Sequence, residues 1–138
     1  MYGIVQVMKN VRLFSRFALF VIYFWFGILK VFDLSPATPL VNALAQKSFV
    51  ILPDFLQIFL SPSRFIILFG LIEVLIGILF LFPALTKPTK IIFGLHMITT
   101  FLPLFLLPSL VWQSLLVPTL EGQYIIKNLA LIAIVLHL

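Results

Sequence analysis

Four apolar runs dominate this chain, each close to the length that a helix needs to cross a lipid bilayer. They fall at about residues 12–33, 63–83, 89–107 and 120–138. A hydrocarbon core of about 30 Å takes about 20 helical residues. Composition decides what solvent such runs require. Of the 138 residues, 9% are charged and 63% are hydrophobic. A soluble domain is about 25% charged, because it must face water. This chain does not have enough polar surface to cover itself, so its solvent is a bilayer. The expected fold is all-α, an integral membrane four-helix bundle forming one domain over residues 1–138.

Local signals mark the ends of the runs. Ser61 is placed to cap the second helix, with Pro62 in its first turn. Thr119 is the expected cap of the fourth, and Glu121 suits its first turn. Lys9, Arg12 and Arg16 precede the first run as they would in a signal peptide, but no small-x-small cleavage pattern follows, which reads as a retained anchor. The connection at 34–62 is too long and too apolar for a bare linker. Leu40, Val41 and Leu44, then Phe55, Leu56 and Phe59, recur at helical spacing on either side of Pro53. Two short interfacial helices are expected there. The "PSLVWQSLLVP" connection reads as a smaller lid, with Trp112 at the headgroup level. Lys9, Arg12, Arg16, Lys87 and Lys90 lie on one side of a four-span chain. By the positive-inside bias, both termini are cytoplasmic and the membrane is the cytoplasmic one.

The polar residues inside the runs are the candidates for a site. Glu73 lies nine residues after Arg64, about 14 Å deep at the helical rise. Lys127, six residues after Glu121, is about 9 Å deep, and Lys30 about 5 Å. An unpaired charge at such depth costs at least a few kcal/mol. A buried polar cluster of Lys30, Glu73, Lys127 and Asn128 removes much of that cost, and two lysines favour an ionised, paired Glu73. Gly70 and Gly77 flank Glu73 on one face, and Tyr23, Gly27 and Lys30 form a similar stripe. Small residues of this kind let helices approach closely. Tyr23, His96, Thr99, Thr100, Gln123 and Tyr124 are the further expected ligand-contacting residues. The third run carries His96, Thr99, Thr100 and Pro103 at i, i+3, i+4, i+7. The seam is either glue that fixes helix register or a small internal site.

Several chemistries are disfavoured. The chain has no cysteine, which removes thiolate catalysis, iron–sulfur ligation and Cys-type zinc sites. No basic cluster with interleaved aromatics suggests nucleic acid. No phosphate loop, zinc spacing or Ser/His/Asp arrangement is visible, and no metal site is expected. Bis-His haem fits poorly, because His96 is about 9 Å in from Lys90 whereas His137 lies at the end of the last run. Pro103 and Pro108 either end the third helix or mark an outward-facing pocket.

The segments "RFALFVIYFWFGILKVF", "GLIEVLIGILFLFP" and "GQYIIKNLALIA" resemble DoxX-like four-helix membrane proteins. The likeness lies in a Gly-x-x-Lys near the end of helix one, a Glu with nearby glycines in helix two, and a Lys-Asn opening helix four. The Pro-rich first connection and "TTFLPLF" are most similar to the YkgB-type branch. The resemblance implies that Lys30, Glu73, Lys127 and Asn128 are the family positions. It also implies a redox neighbourhood: DoxX and DoxD are associated with a thiosulfate:quinone oxidoreductase, and YkgB-type members with resistance to reactive chlorine species. Without cysteine, sulfur relay is not expected, whereas quinone contact is compatible. The resulting expectation is an accessory or quinone-contacting subunit of a membrane redox or stress-response system, without catalytic activity of its own. Its partners would be the bilayer, quinone and other membrane subunits. The alternatives are a small permease or channel for a polar solute, with Glu73 as gate, and a purely structural subunit of a larger complex.

Overall fold

The computed structural model describes residues 2–49 and 61–138. Helix α1 runs Tyr2–Val31, α2 Thr38–Phe49, α3 Pro62–Phe80 and α4 Thr86–Phe101. Two single-turn helices follow, α5 (Pro103–Leu106) and α6 (Pro108–Val111). A hairpin of β1 (Trp112–Ser114) and β2 (Val117–Pro118) then leads into α7, Leu120–Leu136. The class is all-α. Two helical stretches among the described residues, Gly3–Val31 and Pro83–Leu106, are long and apolar enough to cross a membrane.

Helix ends follow local chemistry. The Ser61 hydroxyl accepts from Arg64 N at 3.3 Å, with Pro62 in the first turn of α3. Thr119 accepts from Gly122 N at 3.2 Å, while its hydroxyl donates to Leu110 O at 2.8 Å. One cap therefore starts α7 and ties it to α6. Helix α1 stops where Asp33 turns left-handed, at φ 55. Leu34 N then reaches back to Leu29 O at 2.7 Å, and Asp33 N to Lys30 O at 3.2 Å. That pair of bonds satisfies the last carbonyls of the helix.

The first helix begins at Tyr2, well before the expected residue 12. Charged side chains limit where a helix can sit in lipid, not where it can form, and Gln6 bonds Asn10 one turn on at 3.3 Å. The third run is interrupted after Phe101 and resumes at Pro103. Its sequel is a hairpin rather than a plain lid. Trp112 is half-buried there, donating from Nε1 to Leu104 O at 3.1 Å. Helix α2 buries Val41, Leu44 and Ala45 and lies against α3 and α5, tied by a bond from Lys47 Nζ to Leu106 O. The second short helix expected around Phe55, Leu56 and Phe59 lies outside the described residues.

Helices α1 and α3 form the tightest pair, and glycine is the reason. A Cβ at Gly27 would lie 2.6 Å from Gly70 O, and one at Gly70 would lie 2.7 Å from Gly27 O. A Cβ at Gly77 would lie 2.8 Å from Phe24 N. The two backbones touch, running antiparallel, and this is what glycines seven residues apart on α3, with Gly27 facing the first of them, permit. The core continues through Leu19, Tyr23, Ile76 and Phe80 to Phe93 and Met97 of α4 and Val135 of α7.

Candidate functional site

The glycine contact sets the level of the site, because the residues flanking it are polar and cannot avoid each other. Lys30, one turn after Gly27, meets Glu73, one turn after Gly70. Lys30 Nζ lies 2.5 Å from Glu73 Oε2, with both residues buried. Glu73 Oε1 lies 3.4 Å from His96 Nε2. The carboxylate is thus held between a lysine of α1 and an imidazole of α4. His96 is boxed by Phe69 and Tyr23, with ring centroids 4.6 and 5.7 Å away. Its backbone carbonyl accepts from both Thr99 and Thr100, at 2.7 and 3.0 Å. These bonds occupy the threonine hydroxyls with the backbone of α4 itself.

Beside this chain of charges is a cavity of about 70 Å³, lined by Tyr23, Phe26, Glu73, His96, Met97, Thr100, Asn128 and neighbouring apolar residues. At about 30 Å³ per water, it has room for two waters or one polar group of a larger molecule. Tyr23 is 4% exposed, and its hydroxyl has no hydrogen-bond partner in the protein. A buried, unsatisfied hydroxyl costs about 1–3 kcal/mol, so such groups call for a guest. Met97 also lines a second, larger space, an apolar groove of about 470 Å³ between α4 and α7. Phe93, Phe101, Phe105, Ile132 and Val135 form its walls, and Lys90 stands at one end.

Of the four residues expected in the buried cluster, Lys30 and Glu73 meet and Asn128 lines the adjoining cavity. Lys127 does not join them, which corrects the three-helix Lys–Glu–Lys cluster. It is exposed on the outside of α7, its Nζ 4.8 Å from the centre of the Tyr124 ring. The physical reason is helical geometry. Successive residues point about 100° apart, so Asn128 and Lys127 cannot both face the interior. His96 takes the place assigned to Lys127. Tyr23, His96 and Thr100 line the cavity, Thr99 is half-buried beside it, and Gln123 and Tyr124 are exposed. His137 is exposed at the end of α7, where Lys90 Nζ donates to Leu136 O at 3.3 Å.

The sequence does not pair Glu73 with His96: depths of about 14 Å from one face and about 9 Å from the other leave them about 7 Å apart in level across a core of about 30 Å. Arg16 belongs to the buried polar residues too, although the sequence marks it only as a flanking charge. It is 8% exposed, donating to Phe80 O at 3.1 Å and to Thr86 Oγ1 at 2.7 Å. It therefore pins α1 to the end of α3 and the start of α4.

No family profile matches the chain, and neither does any curated protein or solved structure.

Proposed function

We propose that the chain is a four-helix membrane bundle of the DoxX-like kind, closest to its YkgB-type branch. In this reading α1, α3, α4 and α7 cross the cytoplasmic membrane and both termini face the cytoplasm. It is a quinone-contacting or accessory subunit of a membrane redox or stress-response system, with no catalysis of its own. One observation carries the reading: the unpartnered, buried Tyr23 hydroxyl beside Glu73 and His96, next to an apolar groove across Met97.

A quinone has carbonyl oxygens that accept hydrogen bonds and an apolar ring and tail. The small cavity admits a carbonyl group but no ring. The groove, at about 470 Å³, lies within the usual 300–1,000 Å³ of ligand sites and suits a ring and tail. In this pose Tyr23 donates to the carbonyl, while Glu73, held by Lys30 and His96, stays paired.

The test is ligand-dependent stability. Purified protein should carry a quinone or melt higher when a short-chain quinone is added. At a hundredfold excess over Kd, binding contributes about 2.7 kcal/mol. Tyr23→Phe should reduce the shift while leaving the apo melting point close to that of the parent. Absence of bound quinone together with absence of any shift would sink the proposal.

A further inference from the structure

The exposed middle of each long helix shows what surrounds the protein. On α1 it carries Val21 and Trp25, on α3 Leu71, Leu75 and Ile78, and on α4 Ile91, Leu95 and Ile98. These are side chains that lipid tails accept. Helix α7 departs from this pattern on one side. It exposes Leu129 and Leu136 like the others, but it also carries Gln123, Lys127 and Ala130, spaced i, i+4 and i+7, with Tyr124 (59% exposed) beside them. Small and polar residues of this kind are enriched where one membrane helix contacts another. Among the described residues no carboxylate lies within ion-pair distance of Lys127; its ammonium rests on the Tyr124 ring alone.

We propose that the Gln123–Lys127–Ala130 face of α7 docks a transmembrane helix of a different protein, one that carries a carboxylate at the level of Lys127. This rests on the reading above that α7 crosses the bilayer. The charge determines the class of partner. Lys127 lies about 9 Å from the Glu121 end of the helix, a depth at which an ammonium is unfavourable unless it is paired or reaches back to the interface. A carboxylate supplies that pairing, and the small Ala130 lets its helix approach. A second copy of this chain does not fit. A two-fold axis along the membrane normal would place Lys127 against its own counterpart at the same depth. Glu121 of a second copy would lie more than a helical turn away.

The test uses the whole chain in phosphatidylcholine nanodiscs. The probe is a synthetic polyleucine transmembrane peptide bearing one Glu at the depth of Lys127, and association is read by energy transfer. Peptides with Gln or Leu at that position are the comparison. The Glu peptide should associate about tenfold more tightly than the Leu peptide, the span of one good intramembrane polar contact. Lys127→Ala should abolish the preference, Lys127→Arg should keep it, and Ala130→Phe should weaken association of the Glu peptide.

Equal association of the Glu and Leu peptides overturns the proposal, and so does a preference that survives Lys127→Ala. Self-association of the chain through this face, lost in Ala130→Phe, overturns it in favour of a second copy. If no peptide is preferred but phosphatidylglycerol raises the melting point of the parent and not of Lys127→Ala, the occupant is a lipid headgroup. Failure of the membrane reading itself shows separately, as labelling from both sides of the bilayer at positions that four spans place on one side.

Discussion

Side chains from two different helices converge on Glu73, Lys30 of α1 and His96 of α4. Truncating Glu73 leaves Lys30 buried without its counter-ion and His96 without its carboxylate partner. Breaking a buried pair from one side costs about 3–5 kcal/mol. Glu73→Ala should therefore lower the melting point strongly in detergent, and Glu73→Gln, which keeps the shape and a hydrogen-bonding oxygen, should lower it less. A Glu73→Ala protein that melts with the parent would refute the pairing. Lys127 is the contrast, since no ion pair forms there within the described chain. The depth of Glu73 and its glycine neighbours are readable from the sequence. Its second partner is not, because His96 stands on another helix and which helices adjoin is set by tertiary packing. The sidedness of Lys127 turns on a single step of about 100° on the helix, too fine for the residue pattern to fix.

At the scale of elements, the α1–α3 contact is the most sharply defined feature. Gly27, Gly70 and Gly77 are constrained by backbone atoms of the facing helix, which cannot rotate out of the way as a side chain can. Gly27→Ala should separate the helices and destabilise the protein by about 1–3 kcal/mol, the usual range for overpacking. A methyl group at Gly94 would meet nothing within 4 Å, so Gly94→Ala should be neutral or stabilise by up to about 1 kcal/mol. Thermal melts of the two variants side by side test the contact; equal behaviour would contradict it. Helix types and caps are legible because they depend on neighbours in sequence: Ser61 and Thr119 act as their chemistry requires. The β1–β2 hairpin is not legible. Leu115 and Leu116 occupy its tip in place of the glycine or asparagine that marks such turns, and Leu116 adopts φ 60.

For the whole molecule, the membrane reading makes a geometric statement about sidedness. The absence of cysteine makes it convenient to test, since each engineered thiol is the only one. Gln6→Cys and Lys87→Cys should be shielded from an impermeant thiol reagent added outside intact cells, whereas Leu34→Cys should react. Reaction of all three, or of Gln6→Cys and Leu34→Cys together, would show that α1 does not span. Sequence alone marked the element type and the stretches long and apolar enough to cross a membrane. Those follow from sums along the chain, of hydropathy and of charge, that need no knowledge of which helix lies beside which. It also marked Lys30, Glu73 and His96, which are buried, but not Arg16. Only the tertiary structure decided how they are compensated. Which face of α7 turns inward, which helix supplies the second partner of Glu73, and where a hydroxyl is left without one all depend on rotations about helix axes. Those rotations are set by packing between segments distant in sequence, and a run of apolar residues with no polar face toward water leaves them nearly unmarked.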